Sequence, residues 1–200
     1  MLRHFCLTLI TATLFAHHAA AQVAHFDQYP EGPVGDVFVD TISGIRFQDV
    51  TVPDSPFVIE RSSAVPSRPL TSPGGLLSTF GFAPGDTIGL TSDFGFTAIL
   101  PQPARTLSFD VVYVTNGPNA GLDLLLFGSA GQLLDATRFT FANANFAERR
   151  IAIPDRAVAD IASFRIAGVT DLGTAYDNIT IPEPASSAGV VFCALIRRRR

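Results

Sequence analysis

The sequence predicts an all-β protein, a jelly-roll-like antiparallel β-sandwich of about eleven short strands. Three observations predict it. Short apolar runs alternate with Gly, Pro, Asn and Asp punctuation about every 8–15 residues, and no stretch holds a 3.6-residue period for three turns. Such spacing fits a sandwich or barrel. Fourteen phenylalanines between Gln22 and Pro184 can fill a core, and the strand number and length favour a jelly roll over an immunoglobulin-like sandwich.

The elements follow in order. Residues 1–21 read as a secretory signal peptide: Arg3 is the positive start, residues 5–16 are apolar, and Ala19-Ala20-Ala21 meets the small-residue cleavage rule. Cleavage after Ala21 makes Gln22 the first mature residue, and residues 22–181 form the exported domain. Strands are expected at 23–29, at 37–47 with a break at Ser43-Gly44, and at 57–61. Residues 61–75 hold Pro66, Pro69 and Pro73 and read as a long surface loop. Strands at 76–82, 87–90 and 94–100 follow.

The second half is more regular. Leu107, Phe109, Val111 and Tyr113 alternate with Ser108, Asp110 and Val112, the period-two pattern of a strand. Asn116-Gly117-Pro118-Asn119 turns the chain into an apolar strand at 122–127, and Ser129-Ala130-Gly131 turns it again into 133–141. Strands at 146–153, 161–167 and 176–181 complete the domain, separated by Pro154-Asp155 and Asp171-Leu172-Gly173.

Composition narrows the function. Cys6 and Cys193 both lie in the end segments, so the exported domain has neither a disulfide nor a cysteine-ligated metal. Between Gln22 and Pro184, nine arginines face eighteen acids, a balance of −9. That argues against nucleic acid as a partner. His25 is the only histidine outside the signal peptide, and neither Gly-x-Ser-x-Gly nor His-Glu-x-x-His occurs. The expectation is a non-catalytic protein.

Residues 182–200 carry the most specific signal. Pro182 and Pro184 withhold amide donors and keep the chain extended around Glu183. Twelve uncharged residues follow, and then Arg197, Arg198, Arg199 and Arg200 end the chain. The arginines favour the cytoplasmic side of a membrane. As a helix the apolar stretch would span about 18 Å, short of a hydrocarbon core of about 30 Å. The order of these parts resembles the PEP-CTERM sorting signal of Gram-negative bacteria. That resemblance implies export to the cell surface, an exosortase-like membrane processing enzyme as partner, weak or transient anchoring by the tail, and an association with exopolysaccharide.

A second resemblance is to secreted jelly rolls of the carbohydrate-binding-module kind. It rests on Phe26-Asp27, on Leu107 to Asp110, and on Asp177-Asn178-Ile179. It implies adjacent first and last strands tied by a structural Ca²⁺, with Asp27 and Asp177 as ligands. By alternation Asp177 shares a face with Ile179 and Ile181, where a carboxylate needs a partner. Capping of the turn at Gly173 and Thr174 is the other reading of Asp177. Sugar sites stack rings on exposed aromatics, and this chain has no Trp and three Tyr. Tyr29 and Tyr176, near the proposed seam, form the candidate platform for a glycan, while Tyr113 alternates with core residues. Two functions follow: a structural component of the envelope, or a glycan-binding module for envelope polysaccharide.

Overall fold

Alternating apolar positions need a partner sheet to cover them, and this chain builds two sheets that cover each other. The computed structural model describes residues 21–48, 57–61, 75–78, 95–115, 120–141, 144–167 and 173–181. The signal peptide, the strand expected at 87–90, the turn at 116–119 and the sorting tail lie outside them, as does nearly all of the 61–75 loop.

Among the described residues there are thirteen strands and one 3-10 turn. The first six strands are short: β1 (Gln22–Ala24), β2 (Gly32–Gly35), β3 (Phe38–Val39), β4 (Arg46–Gln48), β5 (Phe57–Arg61) and β6 (Gly75–Ser78). The 3-10 turn, Phe26–Gln28, follows β1. The longer strands are β7 (Phe96–Ala104), β8 (Ser108–Thr115), β9 (Gly121–Phe127), β10 (Leu133–Thr140), β11 (Ala144–Ala152), β12 (Ile161–Ala167) and β13 (Gly173–Ile181).

One sheet runs β11-β8-β13-β6-β5-β2, with β1 also on β13; the other runs β10-β9-β12-β7-β4-β3. All pairs are antiparallel. The pairing of β6 to β13 is that of a long hairpin rolled up. Strand β9 meets β10, β8 meets β11, β7 meets β12 and β6 meets β13; contacts of β8 with β13 and of β9 with β12 close the roll. This is a jelly-roll sandwich.

Several boundaries differ from the sequence reading. The first strand stops at Ala24 and gives way to the 3-10 turn, so Asp27 is not on a strand. Gly32–Gly35 pairs with β5 although its Gly and Pro look like turn residues. It lies at the edge of its sheet, where a missing amide is tolerated. Strand β7 continues through Pro101 and Pro103 to Ala104. On its β4 side the ladder covers Thr97 to Ile99 only, so those prolines interrupt no bonds to β4.

A chain of aromatic rings crosses the core. Phe26, Phe38, Phe47, Phe57 and Phe96 touch in sequence, and Phe96 continues to Phe164 and Tyr176. Phe109 closes the far end, stacked on Phe164 at 5.9 Å. These rings come from both sheets, so they tie the two layers together. Each well-placed pair adds about 0.5–1.5 kcal/mol beyond area burial.

Candidate functional site

Asn178 shapes the outer surface of the seven-stranded sheet. Its φ of 48° is the only positive value at a non-glycine position among the described residues. Asn tolerates this left-handed geometry better than most side chains. The pairing shows the consequence: Asp177 lies opposite Asp110 and Thr180 opposite Ser108, so β13 uses one residue more than β8. That is a β-bulge, and a bulge re-aims the side chains beside it.

Asp177 is therefore displaced from the position that alternation gives it. Tyr176 pairs with Val111 and faces the core, whereas Asp177 shares the outer face with Asp110. Asp177 does not share the core face of Ile179 and Ile181, because the bulge resets the alternation between them. It is nonetheless 2% exposed, and Asp110 is 6% exposed.

Two nearly buried carboxylates directly opposite each other repel. Around Asp110 the repulsion is offset by donors. Arg150 Nη1 donates to both of its oxygens, at 3.0 and 3.2 Å, and Asn178 Nδ2 donates to Oδ2 at 2.9 Å. Arg150 Nη2 also donates to Ser108 Oγ at 2.7 Å. The other end of the Asn178 amide, Oδ1, lies 3.1 Å from His25 Nδ1 and ties the first-strand segment to the last strand. An open depression of about 480 Å³ is lined by Asp110, Glu148, Arg150 and Asn178. It offers acceptors and donors side by side, the chemistry that polyhydroxylated ligands use.

The first and last strands are neighbours, with Ala24 opposite Ile179. Asp27 lies just beyond that pairing and is exposed on the 3-10 turn. Among the described residues, no group of three or more His, Cys, Asp or Glu side chains is placed to hold a metal ion.

The two tyrosines expected to form a sugar platform do other work. Tyr176 is 1% exposed, with its ring 4.9 Å from that of Phe96 and 6.2 Å from that of Phe109. Core packing has claimed it, so it presents no face for stacking. Tyr29 is half-buried with its ring against Phe38. Its hydroxyl donates to Asp40 Oδ1 at 2.9 Å and accepts the Thr41 amide at 2.6 Å. Asp40 is fully buried and also accepts from Gln28 Nε2 and the Ser43 amide. Tyr29 thus clamps the turn between β3 and β4, where Gly44 takes a φ of 72°. The side chain of Tyr113 lies outside those described.

The fold and these sites define an antiparallel jelly-roll sandwich with a polar outer depression. It is similar to two solved adhesin domains of Lys-gingipain. The K2 domain is 10% identical, with a TM-score of 0.52 over 82% of this chain and 99% of that one. The K1 domain, from Porphyromonas gingivalis W83, is 11% identical, with a TM-score of 0.52 over 83% and 99%. A family 16 carbohydrate-binding module aligns over 66% of this chain and 88% of its own at 12% identity, with a TM-score of 0.37. At these identities the likeness is one of fold. No family model and no curated protein matches the sequence.

Proposed function

We propose that this protein is an exported, non-catalytic β-sandwich of the cell surface or extracellular matrix, processed through its Pro182-Glu183-Pro184 tail and serving a structural role in the envelope. The observation that carries the non-catalytic part is the state of the outer cluster. The carboxylate of Asp110 is held by Arg150 and Asn178, contacts that stabilise a sheet face. Among the described residues the large exposed apolar side chains are all aliphatic, so the aromatic cluster that a sugar platform needs is not among them. The arrangement of the two ends supports export and membrane processing. Intact-mass measurement of the protein from its native envelope tests this: the mature species begins at Gln22 and lacks Arg197 to Arg200. A species retaining both ends contradicts it.

A second reading is a glycan-binding module associated with exopolysaccharide. It is favoured by the depression at Asp110, Glu148, Arg150 and Asn178, where acceptors and donors converge. A binding screen against envelope polysaccharides tests it. Running the screen with and without Ca²⁺ tests the calcium expectation at Asp27 and Asp177 in the same experiment.

A further inference from the structure

The outer face of the six-stranded sheet carries a pattern that no single strand reveals. The registers place Val39, Arg46, Ile99, Ser163, Phe127 and Leu133 in one cross-strand row spanning all six strands. A second row, two residues along, runs Gln48, Thr97, Arg165 and Leu125. Both rows face outward, because the row between them, Phe47, Ala98, Phe164 and Leu126, is fully buried core.

Two arginines on this face, Arg46 and Arg165, stand apart from the others. Arg105 pairs with Asp155, Arg138 with Asp123, Arg150 with Asp110, and Arg156 with Asp160. Arg149 donates to the Thr140 carbonyl and lies over the Phe139 ring. Arg46 and Arg165 are exposed and have no ion-pair partner among the described residues. Asp123, the carboxylate that the registers place on the same face, is already engaged by Arg138 at 3.2 Å. In a domain of net charge −9, two cations without an ionic partner among the described residues therefore collect on one sheet face.

Their spacing indicates the ligand. Arg46 and Arg165 lie on either side of β7, opposite Ile99 and Thr97, which are two residues apart. Their backbones are then about 12 Å apart, from the strand spacing and rise. Half-buried Ile99, Leu125 and Phe127 lie beside them, together with the hydroxyls of Thr97 and Ser163. Two separated cations on a partly apolar, hydroxyl-bearing surface suit a polymer of acidic sugars, in which carboxylates a few residues apart can meet both. A densely charged polyanion such as nucleic acid would be repelled by the rest of the domain. We infer that this face binds an acidic polysaccharide, with Arg46 and Arg165 each holding a sugar carboxylate and Leu125 and Phe127 supporting a ring face. The inference rests on the glycan-binding reading above and moves the contact to the opposite sheet.

The test titrates the full-length protein with polygalacturonate and with its methyl ester, which keeps the backbone and removes the charge. Arginine is suited to carboxylates because its fork donates two charge-assisted bonds. The expected result is binding of polygalacturonate that weakens at higher salt, and at least tenfold weaker binding of the ester. Arg46→Gln and Arg165→Gln each weaken it by about tenfold, while the melting temperature stays unchanged. Equal binding of acid and ester, or binding of a neutral envelope glycan alone, overturns the inference and leaves the glycan reading standing. Failure to bind any glycan removes both. Self-association of the wild type that disappears in the double variant overturns it by assigning the face to a second copy.

Discussion

Arginines on the two outer faces of the sandwich serve in opposite ways. On the seven-stranded sheet, Asp110 is nearly buried, and Arg150 and Asn178 are spent on holding it. On the six-stranded sheet, Arg46 and Arg165 stand in solvent without an ionic partner among the described residues. A charge engaged inside the protein contributes to stability, and a ligand that uses it must compete with that contact. An unengaged exposed charge contributes little to stability and is available for binding. The contrast therefore predicts which substitutions affect folding and which affect recognition.

Asn178 is the point where that contrast breaks most sharply. Replacing it with valine places a β-branched side chain at positive φ and removes a donor from a buried carboxylate. The two effects together cost about 3 kcal/mol. Asn178→Gly keeps the backbone geometry and loses only the side-chain bonds, at about 1–2 kcal/mol. Denaturant unfolding of both variants checks this; a valine variant no less stable than the glycine one would show that the bulge is not needed.

The segment from Ile153 to Asp160 lies at the small end of the scale. Arg156 donates to Asp160 at 2.6 and 2.9 Å, a paired charge on a partly exposed loop. Hydrogen bonding from Arg156 holds the Asp160 carboxyl below its ordinary range, against a smaller opposing effect of burial. A depressed folded-state value means that the contribution is present above the unfolded value and is lost as pH falls through the folded one. Asp160→Asn should melt slightly below the wild type near neutral pH, and the gap should close in acid. A gap that persists or widens in acid would show that the pair does not act through ionisation.

How much of this was legible in the sequence depends on the distance over which each feature is decided. The alternation of Leu107, Phe109 and Val111 and the turn residues between runs were enough for the fold class and for most strands from β8 onward. They are local signals. The face of Asp177 was not legible, because alternation assumes an unbroken ladder and Asn178 inserts a bulge. The Asp-Asn pair was a usable clue, since Asn tolerates positive φ. Tyr176 looked like a seam residue from its place in the chain, yet it joins the ring string of Phe96 and Phe109. The grouping of Arg46 with Arg165 had no sequence signal. It arises from registers joining β4, β7 and β12, which lie far apart along the chain.

The most direct measurement is a pair of thermal melts, Arg150→Ala beside Arg165→Ala, in the full-length protein at one pH and salt. Arg150→Ala strips donors from the nearly buried Asp110 and should cost about 1–3 kcal/mol, reduced somewhat because Arg150 itself is half-exposed. At about 2–4 °C per kcal/mol, that lowers the melting temperature by several degrees. Arg165→Ala should leave it within about 0.5 kcal/mol of the wild type. Equal losses in the two variants, or a larger loss for Arg165, would contradict the division between Arg150, whose charge holds the fold, and Arg46 and Arg165, whose charges are available for binding.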